Sequence, residues 1–271
     1  MIATDFMYDN LYLSDFGCII CEFDDSTGFD TIGSGSEINF EKTMIQNGKR
    51  FLVAGSQYQS CIEAEFSICK NPDNIFENED KYFTIDEQRD IMRWLNRQEM
   101  REFMILDDEN VDIYFNGSFN VEKVEHCGRI VGFTLRFQSD RPFGYASEEE
   151  YKTTIESANG TYTIYDSSDD IGYELLTVTI TPSSAGNLTI TNAFDGKVTA
   201  INNCVSGETI TLDNQLITTD NSTHAETIMD DFNFVFPRIC NSFNNIKNVY
   251  TFSLPCEVSM KYKPTRKVGI V

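Results

Sequence analysis

Basic residues and histidine are scarce in this 271-residue chain. Its 21 Lys and Arg stand against 43 Asp and Glu, a net charge of −22, and it has two histidines, His126 and His224. The deficit runs through both halves, with 27 acids and 13 bases in residues 1–145 and 16 and 8 in the remainder. Nucleic acid is gripped through phosphate neutralisation by Lys and Arg, so a chain this acidic throughout is a poor candidate for holding it. The charge reads as solubility, or as a surface that DNA passes without sticking. The opening MIATDFMYDN lacks a basic n-region and an apolar h-region, so no signal peptide is expected. No apolar run approaches the roughly 18 residues of a membrane span, so no membrane insertion is expected. Synthesis in a reducing cytoplasm follows, and the eight cysteines at 18, 21, 61, 69, 127, 204, 240 and 256 are expected free and small-apolar in behaviour. Cys18-Ile-Ile-Cys21 has the spacing of a zinc knuckle, but no second pair follows at metal-site spacing, so no metal is expected.

What the chain does have is strand texture. It carries 21 Phe and 12 Tyr but one Trp, and rings with Thr and Ile suit a pleated surface. Ile62, Ala64, Phe66 and Ile68 alternate with Glu63, Glu65 and Ser67; Phe133, Leu135 and Phe137 alternate with Thr134, Arg136 and Gln138. Val111, Ile113 and Phe115 lead into Asn116-Gly117, with Phe119 and Val121 beyond, which predicts a hairpin turning at Asn116-Gly117. One helix is predicted over about residues 84–100. Thr84 and Glu87 form a capping box, and Asp86 and Glu87 lie in the first turn, with Arg93, Arg97 and Arg101 late. Ile91, Trp94 and Leu95 share a face that should pack on the sheet, so Trp94 is read as a core anchor.

After Tyr145 the texture changes. Glu148-Glu149-Glu150 is a charged run, and short threonine-rich strands follow at 176–181, 187–192 and 207–213. A later strand places Val258, Met260 and Tyr262 inward and Lys261 and Lys263 outward. Turns about every 8–12 residues indicate a β-sandwich. Pro142 is therefore expected at a domain boundary, with Phe143 and Tyr145 docking the exit of the first domain. The expected architecture is mainly β in two domains: an antiparallel β domain with one packed α-helix over 1–145, and a sandwich over 146–271.

Phosphate-loop, G-x-S-x-G, H-E-x-x-H and Rossmann motifs do not occur, and no catalytic residue or cofactor site is expected. The acidic doublets Asp24-Asp25, Asp107-Asp108, Asp169-Asp170 and Asp230-Asp231 read as solvated loops, and Asp166–Asp170 lacks the spacing of a calcium loop. His224 shows no nucleophile-and-base arrangement.

In order and spacing the chain resembles the distal tail proteins of long-tailed, non-contractile bacteriophages. The matching segments are Phe6-x-Tyr8, SDFGCII (14–20), IEAEFSI, YFTIDEQRDIMRWLNR, the Asn116-Gly117 region, and GFTLRFQSDRPFGYA with its Pro-aromatic hinge. The resemblance implies a galectin-like second domain and a homo-hexameric ring at the virion tail tip. It also implies that the protein is made in the host bacterial cytoplasm. The ring would join the tail tube protein to the tail-tip hub protein and, in many such phages, to a receptor-binding protein, with DNA passing through its channel without specific binding. The second half lacks an obvious aromatic sugar platform, so carbohydrate binding is not carried over. A carbohydrate-binding protein using the sandwich is the alternative reading, and a carboxylate enzyme the remaining one.

Overall fold

The computed structural model describes residues 4–21, 38–45, 48–77, 79–106, 112–213 and 215–268. The chain divides into two compact units, Met1–Ala146 with Arg266–Val271, and Ser147–Thr265. The fold is mainly β. The doublets Asp24-Asp25 and Asp107-Asp108 and the start of the proposed strand at Val111 lie outside the described residues.

The first unit contains β1 (Asp5–Tyr8), β2 (Leu11–Tyr12), β3 (Cys18–Cys21), β4 (Ile38–Ile45), β5 (Arg50–Tyr58), β6 (Glu63–Lys70), α1 (Ile85–Leu95), β7 (Arg101–Leu106), β8 (Phe115–His126), β9 (Arg129–Ser139) and β10 (Gly144–Tyr145). Seven of these strands form one sheet in the order β2-β1-β7-β8-β9-β6-β3, its described pairings all antiparallel. Its inward side chains are strongly aromatic: Phe6, Tyr8, Phe66, Phe103, Phe119, Phe133 and Phe137 are all buried. β4 and β5 form a separate two-stranded ladder.

α1 begins as the sequence predicts. Thr84 Oγ1 accepts from the Glu87 N–H, and the Glu87 carboxylate accepts from the Thr84 N–H at 2.7 Å. Its end differs from the expected Met100. Asn96 leaves helical geometry at φ −85°, ψ 83°, and the Arg97 guanidinium pairs with Asp9 of the β1–β2 turn. A charge partner outside the helix competes with the late-basic pattern that suggested a longer run.

The hairpin predicted at Asn116-Gly117 is also corrected. β8 runs straight through both residues, and Arg101, Glu102 and Phe103 pair with Gly117, Asn116 and Phe115. Gly117 is needed for close approach: a Cβ there would collide with the Gln138 carbonyl and the Phe137 ring. The turn lies ten residues on, at Cys127-Gly128 with φ 52° and 80°, between the paired His126 and Arg129. Two consecutive positive φ values are what a two-residue I′ turn requires.

The second unit contains β11 (Glu149–Ile155), β12 (Gly160–Tyr165), β13 (Gly172–Leu175), β14 (Thr177–Pro182), β15 (Gly186–Asn192), β16 (Val198–Cys204), β17 (Ile210–Asp213), β18 (Leu216–Thr219), the four-residue α2 (Ile228–Asp231), β19 (Arg238–Asn241), β20 (Lys247–Phe252) and β21 (Cys256–Tyr262), before β22 (Thr265–Arg266) at its end. A five-stranded sheet β11-β21-β14-β17-β18 and a four-stranded sheet β12-β20-β15-β16 supply one shared core of Val178, Ile180, Leu188, Ile190, Ile201, Phe252, Val258 and Met260, among others. Alternating strands with their apolar faces turned to a common core are a sandwich. α2 has no counterpart in the sequence reading, because four residues carry no periodicity to detect.

Gly117→Ala should overpack the first unit and cost about 1–3 kcal/mol, lowering its denaturation midpoint. A midpoint equal to that of the parent protein would contradict the close-approach account.

Candidate functional site

The helix face predicted to pack is at the centre of the first unit. Ile91, Trp94 and Leu95 are buried, and the indole is 2 % exposed. The indole stacks on Phe16, with centroids 4.4 Å apart and planes 11° from parallel, and on Phe6 at 5.5 Å and 8°. Its Nε1–H donates to the Tyr8 carbonyl at 2.9 Å, so the one polar atom of the ring is satisfied inside the core. Nearby, Lys70 donates to Glu87 at 2.7 Å. Burial works to raise the Glu87 pKa, but its hydrogen bonds from Lys70 and Thr84 outweigh that and hold it below the usual carboxylate range.

The residues expected at the boundary are placed in the first unit. Pro142 is half-buried just after β9. Phe143 meets Tyr58 edge-on at 4.7 Å, and the Lys267 ammonium lies 5.0 Å above its ring. Tyr145 is buried, exchanges two backbone hydrogen bonds with Tyr114, and donates from its hydroxyl to Glu102 at 3.0 Å. Burial, and then the Glu102 charge, raises its pKa.

The surface that stands out is the β4–β5 ladder. Ile38, Phe40, Met44, Phe51, Leu52 and Val53 are each about half exposed or more. The register sets Met44 opposite Phe51 and Ile38 opposite Tyr58. Sequence reading missed this arm, whose signal was the run Phe51-Leu-Val. An isolated two-stranded hairpin is marginal in water, and apolar side chains clustered on one mark an interaction surface.

Other sequence candidates are dispersed. Cys18 and Cys21 lie three apart on a strand and so face opposite sides of the sheet, which does not suit one metal ion. Among the described residues no group of three or more His, Cys, Asp or Glu could hold a metal. His224 is buried, and its Nδ1 sits 2.8 Å from buried Glu208, while Nε2 lies 3.7 Å from Asp231. Glu208 also accepts from the Val205 N–H and the Thr219 hydroxyl, and Asp231 accepts from Asn203. Asp231 is therefore no solvated loop acid: its doublet partner Asp230 is exposed, but Asp231 is half-buried and is held by Asn203 beside His224.

The chain is a two-unit β protein with an aromatic-cored sheet, a sandwich and an exposed apolar β4–β5 ladder. Residues 1–141 match the family described as phage tail protein N-terminal domain, and residues 143–262 match that described as phage tail C-terminal domain. The chain belongs to this phage tail protein family and is a component of the phage tail. No curated protein sequence matches it. Its fold is similar to a crystal structure of the Dit protein (gp 19.1) of phage SPP1. The TM-score is 0.64 at 12% identity, covering 97% of this chain and 99% of that one. SPP1 Dit is described as a paradigm of the hub adsorption apparatus in phages infecting Gram-positive bacteria.

Trp94→Ala leaves a cavity between Phe6 and Phe16 and should cost about 3–5 kcal/mol. Hydrogen exchange of the full chain should show protection lost in β1, α1 and β8 but kept in β14, β15 and β20. Uniform loss, or none, would contradict a role confined to the first core.

The depressed Glu87 pKa means that its contribution is full above the unfolded value and is lost as pH falls through the folded one. Glu87→Gln should flatten this acid dependence of the first unit's stability. An unchanged acid profile would place the dependence elsewhere.

Proposed function

We propose that this protein is a distal tail protein, assembling as a hexameric ring at the tail tip through its first unit. The ring would join the tail tube protein to the tail-tip hub protein and carry a receptor-binding protein, and DNA would pass its channel unbound. The observation that supports this most is the likeness to SPP1 Dit across both units and nearly the whole of both chains. The exposed apolar β4–β5 arm fits the same reading, because a protein that works as an oligomer can leave one surface to be covered by its neighbour. The acidity of the chain suits a channel for a polyanion: like charge repels the passing DNA and leaves no cationic surface to hold it.

Solution mass and negative-stain images of the full chain, alone and with tube or hub protein, test this reading. Six-fold rings are expected. A species that stays monomeric at high concentration and with those partners present would overturn it. Replacing Met44 and Phe51 by Ser should lower the assembled fraction while the emission of Trp94 stays unchanged. Full assembly by that variant would remove the arm from the interface.

A further inference from the structure

We propose that Cys21 and Cys69 are a paired dithiol that closes to a cross-strand disulfide in an oxidising medium, clamping the edge strand β3 to β6.

The argument starts from register. β3 and β6 pair with Cys18 opposite Lys70, Ile19 opposite Cys69, Ile20 opposite Ile68, and Cys21 opposite Ser67. Residues two apart share a face, so Cys21 and Cys69 lie on the same face as diagonal neighbours. That face is the polar one, where Ser67 pairs with Thr134 and Glu65 with Arg136. On the far side of Cys69 the opposite residue is Gly132, which offers no side chain to shield or crowd the sulfur. Both thiols are half-buried, and Cys21 lies close enough to lower the pKa of Cys69 through a hydrogen bond. Diagonal pairs stand about 7–8 Å apart at Cα and closer at Cβ, so closing the bridge requires the backbone to move inward. Here the side chains already converge, and Cys21 is the last residue of a four-residue strand paired with one neighbour in the sheet. Drawing it inward disturbs less pairing than moving a central strand.

Cys69 differs from the other cysteines for which a shift is resolved. Burial pushes Cys18 and Cys240 up to about 12 and Cys204 and Cys256 up to about 11, which keeps those thiols protonated and inert. The hydrogen bond from Cys21 lowers the pKa of Cys69. With its sulfur unshielded on the Gly132 side, Cys69 is assigned as the attacking thiolate and Cys21 as the resolving thiol. With a small disulfide RSSR as oxidant, Cys69 Sγ⁻ attacks one sulfur and expels RS⁻, leaving a mixed disulfide. The Cys21 thiolate then attacks Cys69 Sγ and expels the second RS⁻. The two thiol protons end on the two released RSH molecules, and two electrons pass to the oxidant. A phage tail component is assembled in a reducing host and acts outside it, so the dithiol form would prevail during assembly and the disulfide afterwards.

The test uses the full chain in a Cys127→Ser background, because Cys127 is exposed in a turn and would react independently. Oxidised glutathione should remove two of the seven remaining thiols, reversibly with dithiothreitol, and peptide fragmentation should join Cys21 to Cys69. Adding Cys21→Ser should abolish the cross-link and leave glutathione held on Cys69, whereas adding Cys18→Ser or Cys61→Ser should change nothing. Trp94 emission reports that each variant is folded. A stable glutathione adduct on Cys69 with Cys21 present, a cross-link mapping to other cysteines, or full retention of all seven thiols would overturn the proposal.

Discussion

The first unit depends on one ring in one slot. Trp94 is held between Phe6 of β1 and Phe16, and its N–H reaches the Tyr8 carbonyl. Three segments far apart in sequence are therefore fixed by a single side chain. The N-terminal strand gains a face to pack on, and the short connection before β3 gains a stacking partner. The helix gains an orientation, since rotation about its axis would break the hydrogen bond. Around this slot the phenylalanines interlock, with Phe103 meeting Phe6 and Phe119 edge-to-face and Phe137 at a tilt, all within 4.5–5.6 Å. Such pairs add about 0.5–1.5 kcal/mol each beyond the area they bury. Gly117 follows from the same crowding: with Phe137 packed against β8, only a residue without a side chain fits opposite.

The second unit is organised differently. Its core is mostly aliphatic, and its irregular connections are tied by buried polar groups rather than by rings. Asn248, fully buried, donates to the Cys240 and Ile246 carbonyls and accepts from the Cys240 N–H and from Asn192. Glu208 and His224 do the corresponding work between the connection before β17 and the segment that leads into α2. A buried charge is tolerated only with partners of this kind, and removing one partner leaves the other stranded. These networks fix where the loops go, while the alternating Thr and aliphatic residues fix which way the strands face.

Much of this architecture was legible because it is periodic. The alternation of Phe133, Leu135 and Phe137, the stripe of Ile91, Trp94 and Leu95, and the capping box at Thr84 each report local geometry through spacing alone. What failed was non-periodic. Asn116-Gly117 has the composition of a turn, but here the glycine answers a steric demand from Phe137, which lies twenty residues away in sequence. The turn was placed at Cys127-Gly128, where cysteine gives no hint of a left-handed backbone. The helix end was set by Asp9, and the pairing of Asp231 by Asn203, beside His224. The β4–β5 arm was overlooked because its apolar residues face outward, against the assumption on which pattern reading rests.

That arm and the net charge bear on one another. Copies of a chain carrying −22 repel over about a Debye length, ~8 Å at physiological ionic strength. Long-range electrostatics therefore works against any homo-oligomer of this protein, and attraction has to come from contacts that act only at close range. Burial of apolar surface is such a force, insensitive to salt screening and proportional to area. The half-exposed Ile38, Phe40, Met44, Phe51, Leu52 and Val53 are where this surface is concentrated in one element. The acidic remainder adds like-charge repulsion to every approach between copies. Under the ring reading, the same imbalance that would make the channel unattractive to DNA leaves cohesion to short-range contacts such as those the arm offers.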